Sequence, residues 1–408
     1  MDVRRLKVLL VSYTHKVGGQ ATYIAGPPQD CAKYLRERVA KLTFIEQPSP
    51  ISDDLTLTAT VWEHGVQIRI VRCPWGWPRP LEGRNIEERA PWYYLGFKLR
   101  EVAGTLYLLW KTSDCYDLYI GVEAINTVLG IWLRLWGRVR SVVYDVIDYS
   151  PQRFVSPVLN TVFHGLDSWC AAHANYCWNQ TALIGQDRAR RNPRVAARQL
   201  VKPSGMPAAR IQQRSNDQVT RTDLIYVGTL QARDGVWVML EALPIILRAV
   251  PAATLRIIGN GNEEAAMKHW LADRGLIAHV KFLGMIGDPE AVESWVAKSG
   301  VALAPYRDDP GSVKRYNDPS KPKLYLACGV PVVITQVPPV AEEIQRDGAG
   351  VAVAGDPEAF AQGVLRLLTD QPFYQACRHG ATRLAARYTW ERIFDDLFAQ
   401  MEAVVTHG

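Results

Sequence analysis

Asp318-Pro-Ser-Lys-Pro-Lys-Leu-Tyr-Leu-Ala-Cys-Gly-Val-Pro-Val-Val-Ile-Thr335 reads as a loop, a short helix and a buried strand in succession. Pro319 suits a helix start, because its fixed φ fits the first turn and its missing N–H is not needed there. Leu324, Leu326 and Ala327 are expected to face inward, Gly329 to end the helix, and Pro331 to open the apolar run Val332–Ile334. The helix start would then present Ser320, Lys321 and Lys323. Unpaired backbone N–H groups, the positive end of a helix dipole and two ammonium groups together suit a diphosphate. An ordinary helix–strand unit with solvated lysines is the plain alternative.

The run from Lys321 to Val333, with its Tyr-Leu-Ala-x-Gly-x-Pro-Val-Val core, closely resembles the donor-site segment of retaining family 4 glycosyltransferases. Asp-Gly-Ala-Gly350 follows at family-like spacing. The resemblance implies an α/β chain of the GT-B fold, two Rossmann-like domains with a deep cleft between them. It implies an enzyme that moves a sugar from a nucleotide-sugar donor to a glycan, lipid-linked or other acceptor in cell-surface or exopolysaccharide synthesis. It implies no metal and no cofactor.

The rest of the chain supports two α/β series. Its 408 residues exceed one ordinary core. Residues 1–205 alternate strand-like runs (Leu6–Tyr13, Lys41–Ile45, Val66–Val71, Asp117–Val122, Val139–Val146) with helical ones (Pro91–Lys111, Ala124–Trp136, Ser156–Trp169). Lys202–Thr220, polar and dotted with proline and glycine, reads as the connection. A second series, 206–385, begins with the strand Leu224–Val227, and a last helix, 386–408, is expected to cross back to the first domain.

Ligand chemistry in open α/β sheets collects at the carboxyl ends of strands. After the first strand, His15 and the pair Gly18-Gly19 are candidates, since two glycines let a backbone approach a ligand closely. Asp145, Asp148, Tyr149 and Arg153 form the best polar cluster of the first half, with Asp148 as the catalytic candidate and Tyr149, Arg153 and His15 toward sugar or acceptor. In the second half the candidates are the turn Gly228-Thr229…Arg233-Asp234-Gly235, Gly261 and Tyr306. The resemblance places an Arg and a Lys where this chain has Thr229 and Asp234, leaving Arg233 to replace the charge. It places paired glutamates where Tyr316 and Leu324 stand. These departures keep open a second reading, a catalytically degenerate binding or scaffold module. Lys321 and Arg233 are the catalytic candidates, steadying the charge that grows on a departing diphosphate.

Composition bounds the partners. The first 205 residues hold 26 Lys and Arg against 18 Asp and Glu, and nine of the 13 tryptophans. A basic, tryptophan-rich half admits contact with an anionic lipid surface; buried tryptophans under a basic surface explain the same composition equally well. No basic helix or aromatic motif points to nucleic acid. Seven scattered cysteines without a C-x-x-C pair fit a cytoplasm-like, reducing compartment. The short apolar start does not read as a signal peptide, and no membrane span is seen.

Overall fold

Strands whose residues are buried in unbroken succession, rather than alternately, belong in sheets covered on both faces. Tyr116–Val122, Val139–Val146 and Ser299–Ala304 are of this kind, with burial along nearly their whole length. The computed structural model describes residues 3–17, 20–21, 27–50, 52–75, 91–154, 156–211, 218–309 and 313–407. It has two compact units. One comprises Met1–Asp148, Gln152–Lys202 and Phe394–Gly408; the other comprises Tyr149–Pro151 and Pro203–Ile393.

The first unit contains β1 (Lys7–Thr14), α1 (Pro27–Arg36), β2 (Lys41–Pro48), β3 (Thr58–Glu63), β4 (Val66–Arg72), α2 (Pro91–Thr112), β5 (Tyr116–Val122) and α3 (Glu123–Leu135). There follow β6 (Val139–Val146), α4 (Pro157–His173), β7 (Tyr176–Asn179), α5 (Ala182–Arg191) and β8 (Gln199–Val201). Its eight-stranded sheet runs β8-β7-β6-β5-β1-β2-β3-β4. Six strands are parallel, and β3 and β4 add an antiparallel hairpin at the edge. Thr58–Glu63 was not expected as a strand. Its turn, His64-Gly65, has both φ positive (48° and 82°), the geometry of a tight hairpin.

The chain's last helix returns aromatic residues to this unit. Phe394 and Phe398 lie with ring centroids 4.9 and 6.3 Å from Tyr34, and the Tyr176 hydroxyl donates to Met401 O at 3.1 Å. Lys202, expected to open a polar connection, is buried instead, in a close ion pair with Asp145.

The second unit contains β9 (Thr220–Val227), α6 (Val236–Ala249), β10 (Thr254–Ile258), α7 (Glu264–Asp273), β11 (Val280–Gly284), α8 (Pro289–Lys298) and β12 (Ser299–Ala304). Then come α9 (Ser320–Ala327), β13 (Val332–Thr335), α10 (Val340–Arg346), β14 (Gly350–Val353), α11 (Pro357–Thr369) and α12 (Gln371–Ala385), while the last helix, α13 (Trp390–His407), belongs from Phe394 onward to the first unit. Its all-parallel sheet runs β11-β10-β9-β12-β13-β14, a doubly wound order that reverses between β9 and β12. Successive strand residues point to opposite faces. Leu224, Leu255, Val301 and Val333 therefore meet Val236, Leu240, Phe360 and Val364 on one side, while Ile225, Ala302 and Ile334 meet Tyr325, Leu326, Ile344 and Leu384 on the other.

Candidate functional site

At the carboxyl edge of the six-stranded sheet, three loops are pressed together through their backbones. Gly228 N–H donates to Ile258 O (3.0 Å), Leu230 N–H to Asn260 O (2.9 Å), and Glu263 N–H to Leu230 O (3.0 Å). Side chains would not fit in this seam. A Cβ at Gly261 would stand 2.2 Å from Leu230 O, and one at Gly235, whose φ is +76°, would stand 1.3 Å from Pro305 O. The turn Gly228–Gly235 is thereby fixed against the loops that follow β10 and β12, and α9 begins beside them.

The charges on this platform are arranged around Asp234. Its carboxylate is buried, accepts from the Thr229 hydroxyl at 2.5 Å, and lies 3.1 Å from Lys314 Nζ. Lys314 also stands 5.3 Å over the Tyr306 ring. Lys321, in the first turn of α9, keeps its side chain open to water although protein atoms crowd the position. That crowding, and then the neighbouring Lys314, pull its ammonium below the usual lysine range, while Asp234 acts in the opposite sense. Two cations and one carboxylate thus share the start of the helix. Ser320 is exposed at its first position. The Tyr306 ring is buried and its carbonyl accepts from the Thr335 hydroxyl at 2.6 Å. The Tyr226 hydroxyl holds the carbonyl of Thr229 at 2.9 Å.

Arg233, expected to replace the missing lysine's charge, is exposed on the turn, and the cation paired with Asp234 is Lys314. One expectation changes here. Lys323, expected beside Lys321, faces the other way. Two residues along an α-helix are about 200° apart, so the two ammonium groups cannot share a face. Lys323 is buried, 3.3 Å from the Asp318 carboxylate. Leu324 is half-buried, and Tyr316, where the resemblance would have an acid, packs against Tyr149 with centroids 5.6 Å apart. Lys314 carried no sequence signal beyond its basic neighbours before Pro319, because its role depends on where the loop folds back.

The carboxyl edge of the eight-stranded sheet holds a second cluster. Asp148 is exposed, and its carbonyl accepts from Arg153 at 3.2 Å. Tyr149 is buried, and Asp145 is turned into the protein against Lys202. His15 Nδ1 lies 3.2 Å from Ser49 Oγ. Gly18 and Gly19 lie outside the described residues. The added residue is Glu123, which follows β5 directly. Its φ is +67°, strained backbone for a side chain with a Cβ. Its carboxylate accepts from the amides of Ile147 and Asp148, each at 3.0 Å. Part of the residue remains open to water, yet protein encloses the carboxyl group, and that burial pushes its pKa up to about 7 against the pull of Arg153. The sequence signal was a lone acid at the end of a buried strand, obscured because a helix was expected to begin at the next residue.

Among the described residues no three His, Cys, Asp or Glu side chains gather as metal ligands, and no helix is long and apolar enough to cross a membrane.

Comparison with known proteins places these features. Residues 221–370 match the family model described as glycosyl transferases group 1. A D-inositol 3-phosphate glycosyltransferase of Corynebacterium urealyticum is 29% identical over 174 residues, covering 41% of this chain and 39% of that protein. A phosphatidyl-myo-inositol mannosyltransferase of Mycobacterium leprae is 26% identical over 183 residues, covering 44% and 45%. The chain therefore spans less than half the length of these curated relatives. Among solved structures, Anabaena HepE in complex with UDP aligns over 98% of this chain and 100% of its own, with a TM-score of 0.66 at 16% identity. Sucrose-phosphate synthase from Thermosynechococcus elongatus aligns over the same shares, with a TM-score of 0.66 at 15% identity.

Proposed function

We propose that this chain, which has the GT-B fold of glycosyltransferases and carries a group 1 segment over residues 221–370, moves a sugar from a nucleotide-sugar donor to an acceptor with retention at the anomeric carbon. The observation that carries this reading is the placement of Lys321 and Lys314 around Asp234, at the exposed start of α9 and the switch point of a doubly wound sheet. Breaking an anomeric C–O bond sends negative charge to the departing diphosphate. Ammonium groups and N–H dipoles fixed in advance beside that oxygen stabilise it without reorganising. Lys321 and Lys314 would take the phosphates, Ser320 and the Gly228-Thr229 turn would add polar contacts, and Gly261 and Tyr306 would border the nucleoside. Asp148, with Arg153 and His15, would meet the sugar or acceptor at the carboxyl edge of the other sheet, where Glu123 holds the Asp148 loop.

The relatives named for inositol phosphate and phosphatidylinositol substrates support a polyol-bearing or lipid-linked acceptor, and with it a role in cell-surface glycan synthesis. No disulfide joins any of the seven cysteines, which suits a cytoplasmic setting. Thermal unfolding with UDP, GDP and ADP and their sugar conjugates tests the donor class. A ligand bound at a hundred times its Kd stabilises by about 2.7 kcal/mol, a readily measured rise in melting temperature.

A second reading has its own observation. Where the resemblance calls for an Arg and a Lys on the diphosphate, Thr229 and Asp234 bond to each other. A chain that binds a nucleotide sugar yet neither hydrolyses nor transfers it would be a binding module. Release of nucleoside diphosphate from the conjugate would exclude that.

A further inference from the structure

We infer that the outer face of α2 and α3, where both helices end beside the amino edge of the eight-stranded sheet, is a docking surface for an anionic lipid membrane. The two helices cover the same face of the sheet. Thr105 of α2 and Asn126 of α3 both accept from the Gln47 side chain of β2, each at 3.0 Å. Their opposite sides therefore point away from the core, and those sides are apolar. Leu99, Leu106 and Trp110, spaced by seven and four residues, form one stripe of α2; Trp132 and Leu135 of α3, with Trp136 just after it, form another. Trp110, Leu135 and Trp136 keep 67%, 67% and 64% of their surface exposed, although tryptophan is highly buried on average.

The two stripes converge at one end. Tyr116 N–H donates to Arg138 O at 2.9 Å and the Arg138 guanidinium to Asp114 O at 3.0 Å, tying the segment after α2 to the segment after α3. Lys111 sits 4.4 Å over the Trp110 ring, so the cation and the indole are presented together.

Charge names the occupant. Among the described residues of α2 and α3, no carboxylate is exposed: Glu101 is buried against Lys98, and Glu123 is turned to backbone amides. At the rim, Asp114 is paired with Lys41 and Asp117 with Arg140, leaving Lys111 and Arg138 as exposed cations beside the indoles. Tryptophans with cations at the border of an apolar patch match the headgroup zone of an anionic leaflet. A second copy of this chain would bring the same cations against these. The contact proposed is peripheral: among the described residues no helix is long and apolar enough to cross a membrane. It lies at the edge of the sheet opposite to Asp148 and Glu123, and does not depend on the donor reading.

The test is flotation of the full chain with vesicles of phosphatidylcholine alone or mixed with phosphatidylglycerol, and sizing in solution. Expected are binding to the mixed vesicles only, release by salt, and about tenfold weaker binding of both Trp110→Ser/Trp136→Ser and Lys111→Gln/Arg138→Gln at unchanged melting temperature. Equal binding by the variants, or no binding by the wild type, overturns the inference. So does a concentration-dependent dimer abolished by Trp110→Ser/Trp136→Ser, which would give the face to a second copy.

Discussion

The Lys323 ammonium lies 3.3 Å from the Asp318 carboxylate and 3.0 Å from the centre of the Tyr388 ring, inside the second unit. Asp318 also accepts from Ser204 N–H at 2.7 Å, and the Tyr388 hydroxyl donates to Glu343 at 2.6 Å. Burial pulls the ammonium below, and the carboxyl above, their usual ranges, while their mutual attraction opposes both shifts. Removing one partner of such a pair leaves a buried charge without compensation, at a cost of roughly 3–5 kcal/mol. Lys323→Met is therefore expected to lower the melting temperature by about 10 °C, and Asp318→Asn in the same chain to recover most of it. If Lys323→Met melted like the wild type, the pair would have no structural role.

Gly235 makes the close packing at the donor edge testable. Its φ of +76° and the approach of Pro305 O leave no room for a methyl group. Gly235→Ala should cost at least about 2 kcal/mol, read as a lower urea midpoint at unchanged slope. An unchanged midpoint would mean that the loops can part freely.

Glu123 gives a pH dependence whose sign is fixed. Its folded pKa, about 7, lies above the ordinary glutamate value of 4.5, so the folded chain holds a proton that the unfolded chain has lost between those values. Its contribution to stability is complete below the lower value and disappears as pH rises through the upper one. Between about pH 5 and pH 8 the wild type should lose on the order of 2 kcal/mol that Glu123→Gln does not, allowing for the residue's partial exposure. Urea unfolding of both proteins at the two pH values measures the difference; parallel pH profiles would contradict the assignment.

The fold was legible because parallel strands buried on both faces read as unbroken apolar runs. Leu224–Val227, Val301–Ala304 and Val332–Ile334 all became strands of one sheet. Thr58–Glu63 was missed, since alternation of Thr, Ala and Val with polar residues is weak in an edge hairpin. At the site, residues named from a helix start and a turn were found on those elements, but their direction was not legible. Lys321 and Lys323 stand two residues apart in the motif and are opposed in space. The roles of Lys314 and Glu123 were not legible for a related reason: each acts through groups brought to it by folding, Asp234 for one and the amides of Ile147 and Asp148 for the other.

The measurement closest to the central claim compares Lys321→Ala with the wild type in calorimetric titrations with UDP and GDP. Loss of a charged contact to a phosphate weakens binding by about 1.5–3 kcal/mol, or roughly ten- to over a hundredfold. The predicted result is such a loss for whichever diphosphate the wild type binds, a similar loss in Lys314→Ala, and an unchanged melting temperature without ligand for Lys321→Ala. Undiminished affinity in Lys321→Ala, or no binding of either nucleotide by the wild type, would contradict the account.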